Sequence, residues 1–144
     1  MLEYSPGQLD ALFNKGHIMM NLKQYEAARD LSRHVLQADP TRREAAFNYA
    51  TCELYVGSPE AAYQLVCGYL EKDQDYPLLQ ALHVVLGLAT NRIADACLSY
   101  AALLTRQYAI QAYIGARLSV LRELGRDEVA DTIQHAAQTA QIEL

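Results

Sequence analysis

Proline, glycine and cysteine are all scarce. Only 4 prolines and 7 glycines occur among 144 residues. Few residues therefore break a helix, and alanine and leucine, which lose little side-chain entropy in one, abound. The composition is all-helical. Hydrophobic residues make up 51% of the chain, which excludes a disordered or low-complexity polymer. The length suffices for one compact domain with a real core. The three cysteines, Cys52, Cys67 and Cys97, are widely spaced, with no C-x-x-C. Neither a disulfide framework nor a zinc site is expected from an odd, scattered set. They read as small apolar core residues, which suits a reducing cytoplasm.

Basic charge is also in short supply. The 12 lysines and arginines are scattered among 17 acidic residues, for a net charge of −5. A phosphate-binding surface needs clustered positive charge, so no nucleic-acid partner is expected. The opening MLEYSPGQLDALF has neither a basic n-region nor an apolar h-region, and no signal peptide is expected. The longest uncharged stretch, Tyr76 to Asn91, includes Gln80 and His83 and is too short to span a bilayer. The expectation is a soluble, cytoplasmic protein without membrane insertion.

Catalytic signatures are missing too. His17, His34, His83 and His135 are far apart, and no H-E-x-x-H, glycine-rich phosphate loop or nucleophile elbow is present. The reading is of a non-enzyme, with no catalytic residue, metal ligand or cofactor.

What the chain does contain is a rhythm. Ala28, Ala62, Ala96 and Ala130 recur every 34 residues, inside LKQYEAARDL, VGSPEAAYQL, TNRIADACLS and LGRDEVADTI. Five residues before each alanine stands Lys23, Gly57, Asn91 or Gly125, mostly residue types that end helices or make turns. Three residues after it come Leu31, Leu65, Ser99 and Ile133. This period, with its turn-formers and small alanines, resembles the tetratricopeptide repeat family. The resemblance implies an all-α, right-handed solenoid of four helix–turn–helix units, about eight helices, in which neighbours must stack because one unit cannot bury its own apolar face.

The units divide as 9–42, 43–76, 77–110 and 111–144, a single domain preceded by a lead-in over 1–8. The first fits best, with Gly16 at the small position of its first helix and Pro40 closing it. The third departs most, with Val84 at that position and no closing proline, and the fourth has Leu118 there. Helices are predicted over 8–22, 25–38, 42–56, 59–72, 77–90, 93–106, 109–124 and 127–140. Ser58-Pro59-Glu60 carries the chemistry of a helix start: a capping hydroxyl, a proline fitted to the first turn, and an acid at the positive end of the dipole. The last helix has one apolar stripe, of Val129, Ala130, Ile133 and Ala137, and is otherwise polar, as expected of a terminal cap on a complete array.

Members of the family use the concave face of each first helix to hold other proteins. Carried over, the resemblance implies a partner-binding groove of Phe13, Asn14, His17 and Met20 in unit one, Phe47, Asn48, Thr51 and Tyr55 in unit two, and Leu78, Leu82 and Val85 in unit three. Such a strip suits an apolar helix or extended segment, with Asn14 or Asn48 holding its backbone. A family subtype grips a C-terminal carboxylate with basic and amide residues, but the corresponding positions here are Phe13, His17, Asn48, Leu78 and Leu82, and Asn48 alone matches.

The helix PLLQALHVVLGLATN in unit three is apolar nearly all round. Curvature and neighbouring helices could hide it. Alternatively it forms a binding groove or a self-association seam. The leading functional expectation is a protein-binding adaptor or dedicated chaperone. Size and architecture also resemble the bacterial type III secretion chaperones. The alternatives are a structural protein that self-associates through unit three, or a docking subunit of a larger complex.

Overall fold

A computed structural model of the chain describes residues 4–144. Among the described residues there are eight α-helices and no strand: α1 (Pro6–Asn21), α2 (Tyr25–Ala38), α3 (Arg43–Val56), α4 (Pro59–Lys72), α5 (Pro77–Ala89), α6 (Ile93–Thr105), α7 (Ile110–Glu123) and α8 (Asp127–Thr139). The eight predicted segments are all present, with ends that differ by a residue or two. All four marker alanines are fully buried.

The largest boundary difference is at the start. Ser5 and Gln8 form a reciprocal capping box, in which the Ser5 N–H donates to Gln8 Oε1 at 2.8 Å and the Gln8 N–H donates to Ser5 Oγ at 3.3 Å. With Pro6 in the first turn, this draws the end of the expected lead-in 1–8 into the helix. Residues 1–3 of that lead-in, where the reading of the N-terminus began, lie outside the described residues.

Five helices end in one pattern. At the end of α1, the Gln24 N–H donates to Met19 O at 2.8 Å and the Lys23 N–H to Met20 O at 3.0 Å. The same pair of bonds closes α5 at Asn91–Arg92, α6 at Gln107–Tyr108, α7 at Gly125–Arg126 and α8 at Gln141–Ile142. This is the Schellman arrangement, which needs a left-handed residue after the helix. Lys23, Asn91, Gln107 and Gln141 supply it with φ between 58° and 62°, and Gly125 with φ 74°.

Gly57, at the corresponding place after α3, has φ −133°. Its lack of a side chain serves another purpose: a Cβ there would overlap the carboxylate of Glu53. That carboxylate turns back over the end of α3, where Oε2 accepts from the Ser58 N–H at 2.9 Å and Oε1 lies 3.7 Å from Arg29 Nε. One buried acid thus joins α2, the end of α3 and the start of α4.

The contacts cluster into two compact units, Met1–Leu65 and Val66–Leu144, with the boundary inside α4. In the first, α1 packs on α2, and α3 packs on both. Gly16 of α1 faces α2, where a Cβ would stand 3.6 Å from Leu31 Cβ and 3.8 Å from Ala28 O, ordinary contact distances. Tyr25 and Tyr55 meet edge-on across α2 and α3, with ring centroids 4.7 Å apart.

In the second unit α5 is the centre. It packs on α6, α7 and α8, and every residue from Ala81 to Leu88 is buried. Its leucines Leu79, Leu82, Leu86 and Leu88 are fully buried, each contributing roughly 1.5–3 kcal/mol of apolar burial. The closest approach to α6 is at Gly87, where a Cβ would stand 3.0 Å from Ala96 Cβ. The marker alanine of unit three thus meets a small residue after all, one turn later than Val84. His83 crosses the same seam, its Nδ1 lying 2.7 Å from Ser99 Oγ.

Candidate functional site

The sequence-derived groove residues separate into two groups by burial. On α1, Phe13 and Met20 are half-buried, and Asn14 and His17 are exposed. A 3.6-residue period places these four on one face, while Leu9 and Gly16 are buried. Phe47 on α3 is half-buried and Leu78 on α5 is exposed. These six are accessible to a partner.

The expectation of an open strip does not hold for the other five. Asn48, Thr51, Tyr55, Leu82 and Val85 are buried. Thr51 spends its hydroxyl within its own helix, donating to Phe47 O at 2.8 Å. Tyr55 packs against Tyr25 rather than presenting its ring to solvent. Leu82 and Val85 belong to the centre of the second unit. Periodicity identified the α5 helix as apolar all round, and the covering helices α6, α7 and α8 give the reason.

The accessible part of the first unit has a charged border. Arg42, immediately before α3, has Nη1 2.8 Å from Asp10 Oδ1, and its guanidinium stands 5.9 Å from the centroid of the Phe13 ring. It pins the start of α3 to α1 and lies over one edge of Phe13. Sequence reasoning missed Arg42, because the pairing spans 32 residues and no local pattern announces it.

Asn48 has its side-chain nitrogen buried without a hydrogen-bond partner. An unmet amide donor in an apolar setting costs free energy. Two other groups on α3 feel the same enclosure. Burial pushes the Cys52 thiol up to about 12, so it is held protonated and unreactive. Burial, and then the Glu53 charge, raise the Tyr49 phenol above its ordinary range.

Among the described residues, no group of three histidine, cysteine, aspartate or glutamate side chains is placed to hold a metal ion. None of their helices is long and apolar enough to cross a membrane.

Residues 22–86 match the family model of the tetratricopeptide repeat. The match begins just after α1, spans α2, α3, α4 and most of α5, and includes the markers Ala28 and Ala62. It supports the family that the 34-residue rhythm resembles. No curated protein and no solved structure matches the chain. Tetratricopeptide repeats generally mediate protein–protein interaction, and the open face of α1 lies just before the matched segment.

Proposed function

We propose that this chain is a protein-binding module, and that it holds its partner on the α1 face formed by Phe13, Asn14, His17 and Met20, with the half-buried Phe47 of α3 as a further contact. The observation that carries the reading is the accessibility of this aromatic and aliphatic face in a chain whose repeat matches a protein-interaction family. Its chemistry suits an apolar helix or extended segment: two phenylalanines and a methionine supply area, and the exposed Asn14 supplies an amide for a peptide backbone. The roles of adaptor and dedicated chaperone, including one serving secretion, both follow from such a face, and a cytoplasmic location suits the three reduced cysteines.

Affinity purification from the native host tests the reading, with Phe13→Ala and Met20→Ala as controls. Both side chains are only half-buried, so the variants should keep the wild-type melting temperature within a few degrees. A partner retained by the wild type and lost from both variants supports the α1 face. A partner retained equally by all three places binding elsewhere.

A further inference from the structure

The α1 reading leaves one apolar surface unused, on α6. The inner side of this helix is committed, with Ala96 and Leu103 fully buried. Its outer side carries Ala94, Leu98, Ala101 and Thr105, which recur at steps of four, three and four and so form one stripe. Leu98 is 73% exposed and Leu104, on the edge of the stripe, 48%. Asp95 is the one charged residue among the thirteen of α6. A solvated helix face normally carries several charges, and leucines standing among exposed alanines mark a surface that another helix covers.

We propose that this face is a dimer seam, on which a second copy of the chain packs its own α6 antiparallel. The placement of charge selects that occupant. Asp95 and Arg106 lie on the same flank of the stripe, eleven residues and three turns apart, or about 16 Å along the axis. A two-fold axis crossing the helices between Leu98 and Ala101 brings Asp95 of each chain onto the same flank as Arg106 of the other, about 3 Å apart along the axis, an offset the long arginine side chain spans. The contact is isologous, so the pairing occurs twice. The same axis sets Leu98 against Ala101 of the second copy, large against small, and Ala94 against Thr105.

A parallel arrangement lacks this complementarity. It would place Asp95 against the other flank, where Ile93 and Leu104 offer a carboxylate nothing. Arg106 Nη1 already holds Asp75 of its own chain, but a guanidinium has five N–H donors and can serve both acids.

Sedimentation velocity of the full chain through a micromolar dilution series tests the seam. A monomer–dimer equilibrium is expected. Leu98→Glu should weaken association about tenfold or more, as loss of a central apolar anchor does, and should leave helicity and melting temperature intact because the side chain is exposed. Asp95→Arg and Arg106→Asp should each weaken association, since each creates two like-charge contacts. An equimolar mixture of the two variants should restore it, because both contacts then regain opposite charges. A wild-type chain that stays monomeric throughout overturns the proposal. So does a Leu98→Glu chain that dimerises as tightly as wild type, or a mixture that associates no better than either variant alone.

Discussion

The carboxylate of Glu53 accepts a hydrogen bond from the backbone N–H of Ser58 at 2.9 Å, in space that exists only because residue 57 is glycine. Gly57→Ala should evict the carboxylate from this position. The lost bond and the disturbed contact with Arg29 should together cost about 1–3 kcal/mol in urea denaturation. In a Glu53→Ala background the same Gly57→Ala change should cost almost nothing more, so the two sites should be coupled in a double-mutant cycle. Gly68→Ala serves as a control. A Cβ at Gly68, within α4, would meet nothing within 4 Å, and helix propensity should raise stability by roughly 0.5–1 kcal/mol.

The left-handed residue at the end of α1 is a lysine. Lys23, with φ 62°, bears a side-chain strain that glycine avoids. Lys23→Gly should relieve it and, after the added freedom of the unfolded chain, gain about 0.5–1 kcal/mol. Gly125→Ala should do the reverse at φ 74°. Thermal unfolding of both variants would show opposite shifts.

Two buried-seam glycines should also respond in opposite senses. At Gly16 an added methyl would sit 3.6 Å from its nearest neighbour, an ordinary contact, so Gly16→Ala should be neutral or stabilise by up to about 1 kcal/mol. At Gly87 the methyl would stand 3.0 Å from Ala96 Cβ and 3.3 Å from Arg92 O. Separating α5 from α6 to admit it should cost about 1–3 kcal/mol.

His83 should make stability depend on pH. Burial holds its pKa below the ordinary 6.5, with the Asp95 charge opposing weakly. The folded chain therefore binds fewer protons at this site than the unfolded chain. Its contribution is complete above about pH 6.5 and is lost as pH falls from there through the folded value. Urea midpoints between neutral and mildly acidic pH should decline in the wild type, and less steeply in His83→Gln.

The fold was legible because its markers are set by backbone chemistry and packing together. Ala28, Ala62, Ala96 and Ala130 repeat at 34 and are all fully buried, and proline and serine announced the start of α4. The exposure of the expected groove positions was legible only in part. A helix period sorts residues by face, but it does not tell which face another helix covers. Asn48, Tyr55 and Leu82 fall at groove positions by count and are buried by neighbours distant in sequence. Glu53 was invisible as a tie between helices for the same reason: Arg29 lies 24 residues before it. The shift of the small contact from Val84 to Gly87 shows that the seam requires a close approach somewhere along α5, not at a fixed place in the repeat.

The wrapping of α5 by α6, α7 and α8 has a consequence for how the second unit opens. A helix that three others must leave before water reaches it can release its amide protons only when most of the unit has come apart. The segment from Ala81 to Leu88 should therefore be the last part of Val66–Leu144 to exchange hydrogen for deuterium, and the rate at which it does so reports the global opening of that unit rather than a local breathing motion.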